Sequence, residues 1–451
     1  MKLFTGSLVA LTLFVGGRAF AQEAVVAETL TRSNYDASAL AITDGHGYEV
    51  TRGVILHTAV GLEAGGDTNV FEQAPSENPS GSPIMRQSGT LRIETDESRD
   101  DLVLPDGSLP DPVSRDFRGS AAFRASYEEF LNGNGALSSY HPIALYGIAD
   151  AIANPDGEWG LVFHERFVRD TRSFSLEDNF PTSRDDNRFY VGVRYRPDGH
   201  SFSDTLHYEN WFTTFEDTTT GIPPRLNSMV GLMHEWVASD RLHVYGDASY
   251  GIFGPFGDGN SNIFGEGFKT KSHPLRLVAG AAYELSPELT LKVHAGYAHA
   301  SYELREGYSA PIAGAELGYH WSETGRLIGM YDYDHYDAES ANFYADHLVA
   351  LKYVQQIRYL ILDGGPEFRW RHFGGGPMTL GPTDRDDFLV DARARAQVVL
   401  ANRFSLVGQY VFSIDHTNWD HNLYDGMGDL VGLDPAKFVR HEITLGIWVA
   451  Y

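Results

Sequence analysis

From residue 51 to residue 451 the chain repeats one pattern: ten to sixteen residues with apolar side chains at every second position, then turn chemistry. A period of two belongs to extended strands, since a helix returns its apolar residues every third or fourth position. Eighteen units can be counted, the first nine near 51–65, 83–96, 116–131, 141–153, 158–172, 187–197, 201–216, 225–238 and 242–253. The rest fall near 272–285, 289–302, 309–322, 326–337, 343–354, 359–373, 385–400, 403–415 and 437–451. Such strands are longer than the five or six residues usual in globular sheets and fit a tilted bilayer crossing. No fixed-period repeat marks the blades of a propeller. The pattern therefore predicts an all-β chain closed into a transmembrane antiparallel barrel of about eighteen strands, rather than a soluble sandwich.

The connectors alternate in length. Residues 154–157, 197–200, 239–241, 286–288, 323–325 and 401–402 are tight turns, whereas 173–186, 254–271, 374–384 and 416–436 are longer polar or glycine-rich segments. Short turns at one end and long loops at the other are the asymmetry of bacterial outer-membrane barrels, the short ones being periplasmic. Both termini then fall in the periplasm. Residues 97–115 break the rule, being long, proline-rich and acidic on the short-turn side. A missed strand pair there makes the barrel larger; a false one gives sixteen strands.

The N-terminus reads as an export signal over 1–21, with Lys2, an apolar run from Leu8 to Val15, and Ala19-Phe20-Ala21 as the cleavage site. Residues 22–50 are expected to form a periplasmic N-terminal segment, and 51–451 the barrel. No stretch of about eighteen apolar residues follows the signal, so any membrane crossing must use strands. There is no cysteine and hence no disulfide framework. With 35 basic against 61 acidic residues and a net charge of −26, nucleic-acid binding is not expected. Aromatic residues at 13% and the absence of low-complexity blocks argue against a disordered acidic chain.

The last strand sets the polarity. Val439, Ile443, Leu445, Ile447, Val449 and Tyr451 share one face, broken by His441, while Arg440, Glu442 and Thr444 share the other. Two-residue counting sorts charges elsewhere in the same way. On 359–373, Asp363, Glu367, Arg369 and Arg371 lie opposite Leu360, Leu362, Phe368 and Trp370; on 385–400, Asp387, Asp391, Arg393, Arg395 and Gln397 lie opposite Phe388, Val390 and Val398. Further polar faces carry Arg188, Arg194 and Arg196; His207 and Glu209; Lys292 and His294; Asp332 and Asp334; and Arg86, Arg92 and Glu94. A charge facing lipid near the midplane costs roughly 2–4 kcal/mol, so these residues are expected to point into a polar lumen. Trp159, Trp236, Trp321, Trp448, Tyr195 and Tyr283 lie near strand ends, where amphipathic rings suit the headgroup level.

Eighteen strands enclose more space than side chains fill, which allows an aqueous channel. Outside the signal, Lys occurs only at 269, 271, 292, 352 and 437, so the cationic chemistry is guanidinium, which binds carboxylates and phosphates in a bidentate way. The charged lumen residues Arg188, Arg194, Arg196, Asp363, Glu367, Arg369, Arg371, Asp391, Arg393 and Arg395 read either as a track for a polar, anionic polymer or solute, or as a ladder that neutralises itself across strands. Both can hold at once. Catalysis has weak candidates only: Ser413, Asp415 and His416, and His164 with Glu165, whose side chains alternate onto opposite faces. His416, Trp419, Asp420 and His421 offer a loop cluster for a metal. Neither set forms a motif, and no enzyme activity, metal or cofactor is expected.

The first strand, from Val54 to Ala64, runs into Gly65-Gly66-Asp67-Thr68-Asn69-Val70-Phe71. Here Gly65 and Gly66 are expected to supply a turn, Asp67 and Asn69 to bond their own backbone, and Phe71 to pack the loop back. This opening resembles that of the β-barrel porins found with exopolysaccharide operons, in which an acidic residue and Asn-Val-Phe or a close variant follow the first strand. The resembling motif, Gly66, Asp67, Asn69 and Phe71, covers one hairpin, and the strand layout fits throughout. The resemblance implies a monomeric Gram-negative outer-membrane barrel that passes a secreted polysaccharide to the cell surface, with periplasmic export components as partners. The apolar stripe ending in Ile447, Val449 and Tyr451 resembles the C-terminal signal read by the outer-membrane assembly machinery, which usually ends in Phe. A general or nutrient porin for small solutes, and a structural barrel plugged by residues 22–50, are the alternatives.

Overall fold

The computed structural model describes residues 48–451 apart from 52–53, 72–78, 96–116, 133–141, 171–183, 198–200, 216–223, 256–270, 304–305, 323, 339–340, 376–384, 402, 419, 425–429 and 436. The signal, most of the N-terminal segment and the 97–115 connector lie outside the described residues.

Twenty-one strands are described. They are β1 (Tyr48–Thr51), β2 (Val54–Asp67), β3 (Ser82–Thr95), β4 (Phe117–Phe130), β5 (Ile143–Ala153), β6 (Trp159–Asp170) and β7 (Arg184–Tyr195). β8 (Phe202–Phe215), β9 (Arg225–Ser239), β10 (Leu242–Pro255), β11 (Ser272–Ser286), β12 (Leu289–Tyr302), β13 (Tyr308–Ser322) and β14 (Gly325–Asp337) follow. The remainder are β15 (Phe343–Ile357), β16 (Leu360–Gly374), β17 (Arg385–Ala401), β18 (Phe404–Thr417), β19 (Asp420–Tyr424), β20 (Leu430–Pro435) and β21 (Phe438–Ala450).

One nineteen-stranded sheet holds all but the β19–β20 hairpin. Leaving aside β1, which pairs only with the start of β2, the other eighteen strands form a closed antiparallel ring in chain order, from β2 through β18 to β21 and back to β2. Closure leaves no unpaired edge, the condition for a sheet to stand in lipid. The ring closes through residues 59–67 of β2 against 442–450 of β21, and Tyr451 exchanges backbone hydrogen bonds of 3.2 and 2.8 Å with Thr58. At that seam Gly65 is required: a Cβ there would stand 1.8 Å from the Ile443 carbonyl oxygen. Gly65 and Gly66 thus belong to β2 rather than to a turn, because the ladder with β21 and β3 runs on to Asp67.

The wall is apolar outside and charged within, the inverse of a soluble core. Val60, Leu62, Leu206, Leu232, Ile443 and Leu445 are exposed, while Arg86, Glu63, Arg371, Asp387 and Glu442 are buried. With lipid-facing strands of 11 to 17 residues and a sheet closed on itself, this is the architecture of a Gram-negative outer-membrane barrel. Trp159, Trp236, Trp321 and Tyr283 stand on the outer surface near the short-turn end. Trp448 does not. It faces inward, 1% exposed, with its indole N–H donating to Glu63 at 3.0 Å, because β21 alternates from the outward Tyr451. The 416–436 loop also contains structure that its sequence hides, the β19–β20 hairpin.

Candidate functional site in the barrel lumen

Alternation along each strand delivers every second side chain to the inside, so the inner surface can be read strand by strand. Its first cluster lies where the ends of the barrel meet. Arg86 on β3 reaches Glu63 on β2 at 3.2 Å, Glu128 on β4 at 2.5 Å and Glu442 on β21 at 2.6 Å. Arg440 bridges Glu442 at 2.6 Å and Asp67 at 2.8 Å. Two guanidiniums therefore tie four carboxylates across four adjacent strands. Asp67 Oδ1 also accepts from the Asn69 backbone N–H at 2.9 Å, the Asn69 side chain donates to the Val439 carbonyl at 3.1 Å, and Phe71 packs against Val70, Ile84 and Phe130. The Gly-Asp-Thr-Asn-Val-Phe segment is in this way fastened to the closure seam.

The second cluster is the inner wall of β15–β17. Arg369 meets Glu367 on its own strand and Asp346 on β15, each at 2.5 Å, and Arg371 lies 3.5 Å from the same Asp346. Arg395 pairs with Asp363 at 2.5 Å, and Arg385 with Asp387 at 2.7 Å. Register places Arg393 opposite Gly365 and Asp391 opposite Glu367, so both belong to this wall. Guanidiniums and carboxylates alternate here between neighbouring strands, giving the cross-strand ladder that spacing alone leaves open.

On the far side, β7 stands nine strands round the ring from β16 and carries the other arginines of the set. Arg188 is buried and lies over the Trp211 ring, 3.8 Å from its centroid. Arg194 donates to the Pro155 carbonyl at 2.6 Å. Arg196 is not on the lumen wall, because β7 ends at Tyr195; it sits in the following turn and donates to the same carbonyl at 3.0 Å. Inward pairs continue round the ring as His207 with Asp247 at 2.8 Å, His294 with Asp332 at 3.1 Å, and Lys292 with Glu316 at 3.2 Å.

The catalytic candidates are not assembled. Ser413 and Asp415 are buried on the inner face of β18 while His416 is on its outer face. His164 pairs inward with Asp150 at 2.6 Å, and Glu165 points outward to Asn187. Trp419 lies outside the described residues. Sequence reasoning missed Asp346, Glu63 and Glu128 as partners; their strand parity marks them as inward, but nothing local says which arginine each meets.

Not every charge on the strands faces inward, and one sector of the outer face carries a charge, Glu165, away from the strand tips. Glu165, Arg169 and Asp185 lie on the outer face of β6 and β7, where they form pairs rather than standing alone in lipid.

No protein-family description and no curated protein sequence matches the chain. Solved structures are similar in fold. The FrpB iron transporter of Neisseria meningitidis (F3-3 variant) aligns with 89% of this chain and 82% of its own, at 8% identity and a TM-score of 0.41. The outer membrane protein opdK of Pseudomonas aeruginosa aligns with 88% of this chain and 99% of its own, at 10% identity and a TM-score of 0.38. A mutant ferric enterobactin receptor of Pseudomonas aeruginosa aligns with 88% and 80%, at 9% identity and a TM-score of 0.37.

Proposed function

We propose that this barrel is an outer-membrane channel that assists export of a secreted, polar and anionic polysaccharide. The observation that carries the reading is the concentration of guanidinium groups on two opposed inner walls, Arg369, Arg371, Arg393 and Arg395 on one and Arg188 and Arg194 on the other. Each wall arginine that already shares a carboxylate can exchange it for a carboxylate of a passing chain, so the ladder neutralises itself at rest and binds transiently in transit. The likeness of Gly66, Asp67, Asn69 and Phe71 to the exopolysaccharide-associated porins supports the same cargo. Periplasmic export components would meet the short-turn end, and the assembly machinery would read Ile447, Val449 and Tyr451. No catalytic step, cofactor or metal enters this reading.

Planar-bilayer conductance of the purified barrel, with and without Arg369, Arg371, Arg393 and Arg395 changed to Ala, tests it together with polymer secretion in a strain carrying the variant. Unchanged conductance and unchanged secretion remove the track. Restored uptake of small solutes with secretion indifferent to the barrel favours a general porin instead, and no conductance at all a plugged one.

A further inference from the structure

The outer wall of β6–β9 differs from the rest of the lipid-facing surface. Glu165 on β6 lies in the middle of its strand, between the outward Phe163 and Phe167, and among the described residues the other outward-facing carboxylates sit at strand ends, as Glu129, Asp185, Asp204 and Asp386 do. Among the described residues its one hydrogen bond is from the Asn187 amide at 2.9 Å. Two strands on, Asn210 donates to the Tyr208 hydroxyl at 3.1 Å and to the Ser228 hydroxyl at 3.0 Å, and these groups also face outward. Above them Arg169 holds Asp185 through two parallel bonds of 2.7 and 2.8 Å. A carboxylate with an unused oxygen, two amides and two hydroxyls thus stand at a depth where hydrocarbon offers no partner.

We propose that this wall is the contact between two copies of the chain, in place of the monomer that the resemblance implies, paired about a two-fold axis parallel to the barrel axis and passing beside Phe189. The register sets Glu165, Phe189, Asn210 and Ser228 in one row across β6, β7, β8 and β9, with the acceptor on one side of Phe189 and, on the other, the donors Asn210 and Tyr208, both bonded to Ser228, whose own hydroxyl proton is left to donate outward. A two-fold axis beside Phe189 turns each acceptor toward the other copy's donors, the self-complementarity an isologous contact requires. The patch carries Glu165 and Asp185 against Arg169 alone, which disfavours the phosphates of a lipid headgroup as its cover.

The described chain has no cysteine, so introduced ones report without background. Phe189→Cys, oxidised in native membranes, is expected to give a disulfide-linked dimer, and Phe368→Cys on β16, nine strands away, to stay monomeric. If Phe189→Cys does not fold, Val191→Cys at the next outward position takes its place. Adding Glu165→Leu is expected to weaken dimerisation ~10-fold, the upper range for one polar contact in a membrane, while the barrel keeps its heat-modifiable migration. Folded Phe189→Cys or Val191→Cys that does not cross-link, equal cross-linking of Phe368→Cys, or a dimer indifferent to Glu165→Leu each overturns the proposal.

Discussion

The closure seam and the β15–β17 wall are built from the same side chains and do different work. At the seam, Arg86 and Arg440 each hold a carboxylate close by, and each also holds one from the other end of the chain, Glu442 for Arg86 and Asp67 for Arg440, so both arginines join the two ends. In the wall, Arg369 and Arg395 bind carboxylates on their own or the adjacent strand, so each pair is complete within a hairpin. Seam pairs are thus a fastening whose loss opens the ring. Wall pairs are a local ladder whose loss changes the lumen and leaves the ring closed.

The largest effect expected from this contrast comes from removing the end of the fastening. Deleting residues 447–451 removes the end of the β21 ladder, the partners of Phe404 to Leu406 on β18 and of Ala59 to Leu62 on β2, leaving backbone groups unpaired in lipid, and should abolish assembly. Gel migration before and after heating reads the outcome directly: a heat-modifiable barrel from the truncated chain would mean that closure does not depend on the last turn-side residues of β21.

Next comes Arg86→Met. It leaves Glu63, Glu128 and Glu442 buried together without their shared cation, and breaking a buried pair from one side costs about 3–5 kcal/mol. Urea unfolding in lipid vesicles measures the loss, and Arg395→Met in the wall should lose less because only Asp363 is left behind. Equal losses would erase the distinction between seam and wall.

The barrel was legible because alternation, turn length and charge parity are local and repeat eighteen times. The parity that put Arg369, Arg371, Arg393 and Arg395 on one face rests on the two-residue period, which β16 and β17 keep throughout. What local pattern cannot carry is the partner. Arg86 and Glu442 are joined only once the ring closes, and Gly65 looks like a turn residue until β21 lies against it. Trp448 misleads for a related reason, since proximity to a strand end says nothing about which side of the wall the ring is on. Glu165 falls outward by the same parity that sends His164 inward, but nothing near it in sequence names Asn187 as its partner.

A smaller effect is expected on transport than on folding when the wall is altered. Arg369→Gln with Arg395→Gln removes two cations from a ladder whose carboxylates stay in place, which shifts the inner field toward negative potential. The reversal potential under a salt gradient should move toward cation selectivity, with single-channel conductance changed less than twofold. The matched seam change Arg440→Gln should alter unfolding more than selectivity, and the opposite ranking would assign the seam to the permeation path.

The smallest effect tests the seam at one hydrogen bond. Trp448→Phe keeps the buried ring and removes the indole N–H that reaches Glu63, a bond to a charged acceptor worth about 1.5–3 kcal/mol at most. Arg86 still holds that carboxylate at 3.2 Å, so the loss should fall near the low end of the range. Trp159→Phe, on the outer surface beside Tyr195 with ring centroids 4.6 Å apart, should shift unfolding by less than Trp448→Phe. A double change of Trp448→Phe with Arg86→Met then measures their coupling through Glu63, because residues that share one buried partner depart from additivity. Additive losses would place Trp448 outside the network that closes the ring.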